Sequence, residues 1–160
     1  MEELQVRPPT PVELPRLHRM LAEFWGGPTA VGQGVVYRLD DLPALVAVHQ
    51  EQIWGAVTLD TAGDACQVVS VNAFERNRGV GTALIEHTAR QAAADGCGTL
   101  WCTTTNDNLD ALRFYQRRGF RLVRIRPGAV DAARLIKPQL PSIGEYGIPL
   151  RDELDLERTL

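Results

Sequence analysis

The stretch 67–96, QVVSVNAFERNRGVGTALIEHTARQAAADG, restricts the fold of this chain more than any other. An apolar run with Val68, Val69 and Val71 passes into a polar turn carrying Arg76 and Arg78. Gly79 and Gly81 then open a segment in which Val80, Leu84, Thr88 and Ala92 share one helical face, with Ile85 and Ala89 beside them. Strand, glycine turn and helix start together make an anion site. Glycine lets the backbone approach a phosphate closely, the unpaired N–H groups of the first turn point at it, and the helix dipole favours negative charge. Guanidinium groups beside those donors add paired hydrogen bonds to phosphate.

The flanking chain supplies a sheet for this unit. Residues 4–7 alternate and are stopped by Pro8, Pro9 and Pro11, as in an edge strand; Leu14, Leu17, Leu21 and Phe24 then mark an amphipathic helix ended by Gly26, Gly27 and Pro28. Residues 29–34 read as loop, and Asp40, Asp41 and Pro43 interrupt any helix before residue 44. Residues 44–49 and 53–59 read as a hairpin around Gln50, Glu51 and Gln52, with a third strand at 66–72. Gly96 and Gly98 end the central helix, 99–103 reads as a buried strand, and Asn106, Asp107 and Asn108 offer caps for a helix that stops at Gly119. A strand at 120–125, a short helix at 129–135, an irregular proline-rich segment and a terminal strand from Leu150 to Leu156 complete the chain. That order predicts one domain over residues 1–160, with a mixed sheet covered by helices.

Composition narrows the partners. With 160 residues, 44% hydrophobic and 23% charged, the chain suits a single globular core. A formal charge of -3 argues against a general nucleic-acid or membrane-surface binder, so an anion must be caught locally. Cys66, Cys97 and Cys102 are odd in number and lack CxxC spacing; buried reduced thiols are expected, and no metal site. The N-terminal MEELQVRPPT has no signal-peptide pattern and no apolar run approaches a membrane span, which predicts a cytoplasmic protein.

Two nucleotide motifs fit the turn poorly. A GxxxxGK[ST] loop needs lysine and a hydroxyl after its last glycine, where Thr82 and Ala83 stand; a GxGxxG fingerprint needs glycine where Leu84 stands. Arg76-Asn77-Arg78-Gly79-Val80-Gly81 instead resembles the R/Q-x-x-G-x-G/A pyrophosphate motif of the GCN5-related N-acetyltransferase (GNAT) superfamily. Asn108-Leu109-Asp110-Ala111, followed by Phe114-Tyr115 and Gly119-Phe120, is similar to that family's N-x-x-A…Y…GF helix, in the expected order.

The resemblance implies an α/β (α+β) fold: a mixed, largely antiparallel sheet whose two parallel strands splay apart around acetyl-CoA, flanked by helices. It implies that Val71 and Asn72 offer backbone groups to the pantetheine arm and thioester carbonyl. Arg76, Asn77, Arg78, Gly79, Val80, Gly81 and Thr82 would surround the pyrophosphate. Asn108 would contact the cofactor arm, cap its helix, or do both. Tyr115 would protonate the departing CoA thiolate, the alternative being a packing role beside Phe114 and Phe120. A phenol near pKa ~10 and a thiol near ~8.5 make that transfer uphill by roughly 2 kcal/mol before the site acts on either group.

The implied activity is N-acetylation of an amine by direct attack in a ternary complex, the alternative being an acyl-CoA-binding sensor or interaction module without turnover. The acceptor is a small molecule or peptide amine chosen by residues 25–41 and 127–147. No strand-borne glutamate stands beside Val71 to serve as base, since Gln67, Ser70 and Asn72 occupy that strand. Glu75, His49, His18, Glu23 and Glu145 are the candidates. Arg113, Arg117 and Arg118 are either phosphate contacts or a solvated helix face, and the terminal strand offers an edge for pairing across a homodimer.

Overall fold

Apolar alternation in the middle of the chain builds a seven-stranded sheet, here seen in a computed structural model that describes residues 3–160. The elements are β1 (Gln5–Arg7), α1 (Leu14–Trp25), β2 (Thr29–Gly32), β3 (Val35–Arg38), β4 (Ala44–His49), β5 (Gln52–Ala62), β6 (Ala65–Ala73), α2 (Val80–Ala94), β7 (Thr99–Thr105), α3 (Leu109–Arg117), β8 (Arg121–Arg126), α4 (Ala129–Ile136) and β9 (Glu153–Thr159). Strand order is β1-β4-β5-β6-β7-β9-β8, and only β6 and β7 run parallel. The mixed, largely antiparallel sheet is therefore as expected.

Strand periodicity sends alternate residues to opposite layers. Leu45, Ala47, Val57, Cys66 and Val68 pack under α2 and α3 with Leu84, Ile85 and Tyr115, whereas Val46, Val48, Ile53 and Ala56 pack under Leu17 and Leu21 of α1. Leu17 and Leu21 are almost wholly buried, worth about 1.5–3 kcal/mol each. At Gly55 a Cβ would lie 2.4 Å from Val80 Cγ1, so the missing side chain lets the start of α2 settle onto β5.

Two features create the opening. β6 and β7 pair only from Ala65↔Thr99 to Val68↔Cys102, although β6 runs on to Ala73 and β7 to Thr105. A bulge on β6 coincides with that parting, because Thr58 pairs with Ser70 and Leu59 with Val68. The extra residue, Val69, bends the strand and leaves backbone groups unpaired on the side facing β7.

Three local expectations need correction. Residues 29–34 are not simply loop: they form β2 and the turn of a hairpin with β3, closed by Gln33 (φ 51) and Gly34 (φ 74). Both residues take the left-handed conformation that two-residue hairpin turns require, and a glutamine in the first of these places conceals the signal. The last strand begins at Glu153 rather than Leu150 and lies between β7 and β8, so both its edges are used within the chain and the edge strand on that side of the sheet is β8. Finally, only Asn108 of the Asn106-Asp107-Asn108 run caps a helix. Asn106 accepts from the backbone N–H groups of Arg151 and Asp152 at 3.0 Å, and Asp107 accepts from that of Glu145 at 2.8 Å, so these two tie down the tail.

Candidate active site

The parting of β6 and β7 opens a cleft of about 670 Å³. At one end lies the glycine turn. Gly79 caps α2 in the left-handed conformation (φ 71), and the Ala83 N–H returns to its carbonyl at 3.0 Å. The N–H groups of Val80, Gly81 and Thr82 precede that first intrahelical bond, so they are left facing outward as a helix N-terminus dictates. Arg76, Asn77, Gly79, Val80, Gly81 and Thr82 all line the cleft, as do Val71, Asn108 and Tyr115. Gly81 also has a packing role, since a Cβ there would lie 3.1 Å from the Phe114 ring.

Neither Arg78 nor the side chain of Asn72 lines the cleft, although the direction of the Asn72 side chain leaves its backbone groups on β6. Arg78 is exposed and does not line the cleft; it sits between Asn77 (φ 60) and Gly79 (φ 71), whose left-handed backbone turns the chain on either side of it. Asn72 faces the α1 layer, where its Oδ1 accepts from Trp25 Nε1 at 3.1 Å, while its Nδ2 is buried with no partner among the described residues. The alternation of β6 after the bulge explains this, because Val71 and Ala73 take the cleft face and Asn72 the opposite one.

Tyr115 is 6% exposed and packs edge-on against Phe114 and Phe120 at 5.3 and 5.1 Å. It packs and lines the cleft at once. Burial pushes its phenol well above the usual value, and the neighbouring Cys102 thiol, itself raised to about 12 by burial, adds to that rise. All three cysteines are buried and free. Asn108 caps α3 by accepting from the Ala111 N–H at 3.1 Å and still borders the cleft.

Among the base candidates, Glu75 and Glu145 line the cleft. His49 instead stacks on Trp54 with ring centroids 4.3 Å apart, and His18 and Glu23 lie on α1 away from the opening. Of the three arginines, Arg113 and Arg118 border the cleft and Arg117 does not. Arg118 is built in: its Nε donates to Thr82 Oγ1 at 3.0 Å, its Nη1 to the Phe114 carbonyl at 2.9 Å, and its guanidinium lies 3.8 Å over the Phe114 ring. Burial and the like charge of Arg117 lower its pKa.

A second recess lies beneath the β2–β3 hairpin and shares Trp25, Val69, Thr103, Thr104 and Asn108 with the cleft. The hairpin tip is stapled to the sheet. The Gln33 N–H donates to Glu153 Oε1 at 3.1 Å, its side-chain amide donates to Thr103 Oγ1, and Tyr37 donates to Gln67 Oε1 at 3.1 Å. Below, Arg126 donates to Asp155 Oδ1 at 2.7 Å and to Glu153 Oε1 at 3.3 Å. Lys137 holds the rim by donating to the Trp25 and Thr29 carbonyls, each at 2.8 Å, and burial lowers its pKa. None of Gln33, Tyr37, Arg126, Lys137, Glu153 and Asp155 stood out as a site residue in the sequence. The one available signal was the Glu153-Leu154-Asp155-Leu156 alternation, which puts carboxylates on a strand face.

The profile of the Acetyltransferase (GNAT) family matches residues 3–120. The chain is 36% identical over 134 residues to the uncharacterized protein YdhI of Bacillus subtilis (strain 168), covering 83% of this chain and 84% of that one. It is 37% identical over 139 residues to the uncharacterized protein YxbD of the same organism, covering 86% and 87%. A Bacillus subtilis acetyltransferase solved in complex with CoA superposes with a TM-score of 0.71 at 20% identity, covering 99% of each chain, which is a likeness of fold.

Proposed function

The chain belongs to the acetyltransferase (GNAT) family, and from that premise we propose that it transfers an acetyl group from acetyl-CoA to an amine acceptor by direct attack in a ternary complex, within one catalytic domain. The observation that carries this reading is the junction of a free helix N-terminus with the parted β6–β7 edge in one cleft ending at buried Tyr115. The donor set suits CoA. The first-turn N–H groups of α2, with Arg76 and Asn77, meet the charge of a pyrophosphate, and Arg118 holds the Thr82 hydroxyl at its edge. Similar structures bound to CoA and acetyl-CoA support the assignment.

The roles of the side chains follow from their surroundings. Unpaired backbone N–H groups along β6 past Val68 stabilise the oxyanion that develops on the thioester carbonyl as nitrogen attacks. One such donor is worth about 2.7–4 kcal/mol. As the N–C bond forms and the C–S bond breaks, the Tyr115 hydroxyl gives its proton to the sulfur. Its raised pKa keeps that proton in place throughout the neutral range. The amine proton leaves to Glu75 or Glu145, directly or through water. An amine near pKa ~10.4 costs about 4.6 kcal/mol to neutralise at pH 7, whereas an α-amine near ~7.8 costs about 1 kcal/mol.

Calorimetry with acetyl-CoA, followed by thiol release from a panel of amines, tests this. Saturable binding and turnover are expected. Absence of binding at millimolar acetyl-CoA sinks the reading, and binding without any turnover favours a sensor.

A further inference from the structure

The recess under the hairpin has a charge pattern that acetyl transfer as such does not need. Its volume is about 150 Å³, room for about five water-sized groups at roughly 30 Å³ each. Glu153 is the single charged side chain among its lining residues and is 4% exposed. Its Oε1 is committed to the Gln33 N–H and to Arg126. The hydrogen bonds of its carboxylate among the described residues run through Oε1, whereas Oε2, which is not a fully buried atom, lies 4.0 Å from where a Cβ on Gly32 would stand.

Arg126 does not cancel this charge, because Asp155 takes it first through Nη2 at 2.7 Å. Around Arg126, two buried carboxylates stand against one guanidinium; Arg124, the other cation near Asp155, is exposed, and the buried Lys137 amine on the rim is engaged by the Trp25 and Thr29 carbonyls rather than by Glu153. A largely buried carboxylate with an uncommitted oxygen on a partly open recess offers a place for a cation. Trp25 and Tyr37 supply the aromatic walls that suit one.

Position separates this cation from the attacking nitrogen. Glu153 lines the recess and not the cleft, whereas the two spaces meet at Trp25, Val69, Thr103, Thr104 and Asn108. We infer that the acceptor is a small diamine: one nitrogen attacks in the cleft while the second, still an ammonium, rests on Glu153 Oε2 in the recess.

This inference rests on the acetyl-transfer reading. Room for about five such groups matches the volume of a four-carbon chain and its terminal nitrogen, with the reacting nitrogen left at the cleft. In the transfer the near nitrogen gains the acetyl carbon and loses a proton to a cleft carboxylate or water. The sulfur takes the Tyr115 proton, and the distal ammonium is unchanged.

Three probes of matched length separate the outcomes: 1,4-diaminobutane, n-butylamine and 4-aminobutanoate, each followed by thiol release with acetyl-CoA binding measured alongside. The wild-type protein is expected to favour the diamine over n-butylamine by about thirtyfold in kcat/KM, as one charge-assisted contact allows. The 4-aminobutanoate, which brings a carboxylate to Glu153, comes last. Glu153→Gln, which keeps the shape and the Gln33 contact, removes the diamine preference while acetyl-CoA affinity stays within about twofold and n-butylamine turnover within about threefold. A wild-type preference for n-butylamine or 4-aminobutanoate overturns the proposal, and so does an equal loss for all three probes in Glu153→Gln. Tight acetyl-CoA binding with no turnover of any probe overturns the diamine and leaves the cofactor assignment standing. Failure to bind acetyl-CoA overturns both.

Discussion

The turn that begins α2 and the recess under the β2–β3 hairpin lie on either side of Trp25, yet they are built by opposite means. The turn is made of contiguous backbone: Arg76 to Thr82 carry their donors wherever strand, glycine and helix follow one another. The recess is made of side chains drawn together from across the chain. The bond between Gln33 and Glu153 spans 120 positions, that between Gln33 and Thr103 spans 70, and that between Arg126 and Asp155 spans 29. A backbone site tolerates change in its side chains and serves one shared cofactor. A side-chain site changes with each substitution, which is what acceptor choice requires.

Substitutions on the two sides should therefore fail differently. The largest effect is expected for Tyr115→Phe. Loss of the proton donor lowers kcat by about 10²–10⁴-fold, equally for every acceptor, with acetyl-CoA affinity retained by calorimetry. A selective loss among acceptors would move Tyr115 to the recess side of the comparison, and an unchanged kcat would reduce it to a packing residue.

Gly79→Val comes next. A β-branched residue held at φ 71 carries about 1–3 kcal/mol of strain, so the cap opens and the first-turn donors lose their alignment. The dissociation constant for acetyl-CoA is expected to rise about ten- to a hundredfold, with the ranking of amines intact. A changed ranking would mean that the turn also shapes the acceptor site.

The smallest effect belongs to the layer beneath both sites. Burial holds the Cys102 thiol up to about 12 in the folded protein, whereas an unfolded thiol ionises near ~8.5. The folded state therefore binds the proton more tightly. The contribution is full below the unfolded pKa and is lost as pH rises through the window between the two values. Between pH 8 and 9.5 the unfolding free energy should fall by about 1 kcal/mol. Urea titrations in Cys102→Ala should show a shallower fall over that range, and an unchanged slope would locate the alkaline sensitivity elsewhere.

Much of the scaffold was legible because its signals are local. Leu14, Leu17 and Leu21 announced α1, and positive φ at Gln50 and Glu51 closes the expected β4–β5 hairpin. Asn108 is the cap its residue type suggested. The β2–β3 hairpin went unread because Gly32 and Gly34 interrupt its alternation and Gln33 occupies a place more often held by asparagine or glycine. Arg118 was indistinguishable from Arg113 and Arg117 until the fold brought Thr82 and Phe114 against it.

By itself, the sequence determined the strand–turn–helix unit, the family and the helix N-terminus proposed to hold the cofactor, because each depends on residues within a few positions of one another. Only the tertiary structure decided that Asn72 turns to Trp25, that β9 enters between β7 and β8, and that Glu153 comes to rest under Gln33 with one oxygen free. Those outcomes depend on strand order, a single-residue bulge at Val69 and the burial of charge, none of which has a fixed spacing along the chain. The proposed cofactor wall is a property of the backbone, and the proposed acceptor wall is a property of the fold.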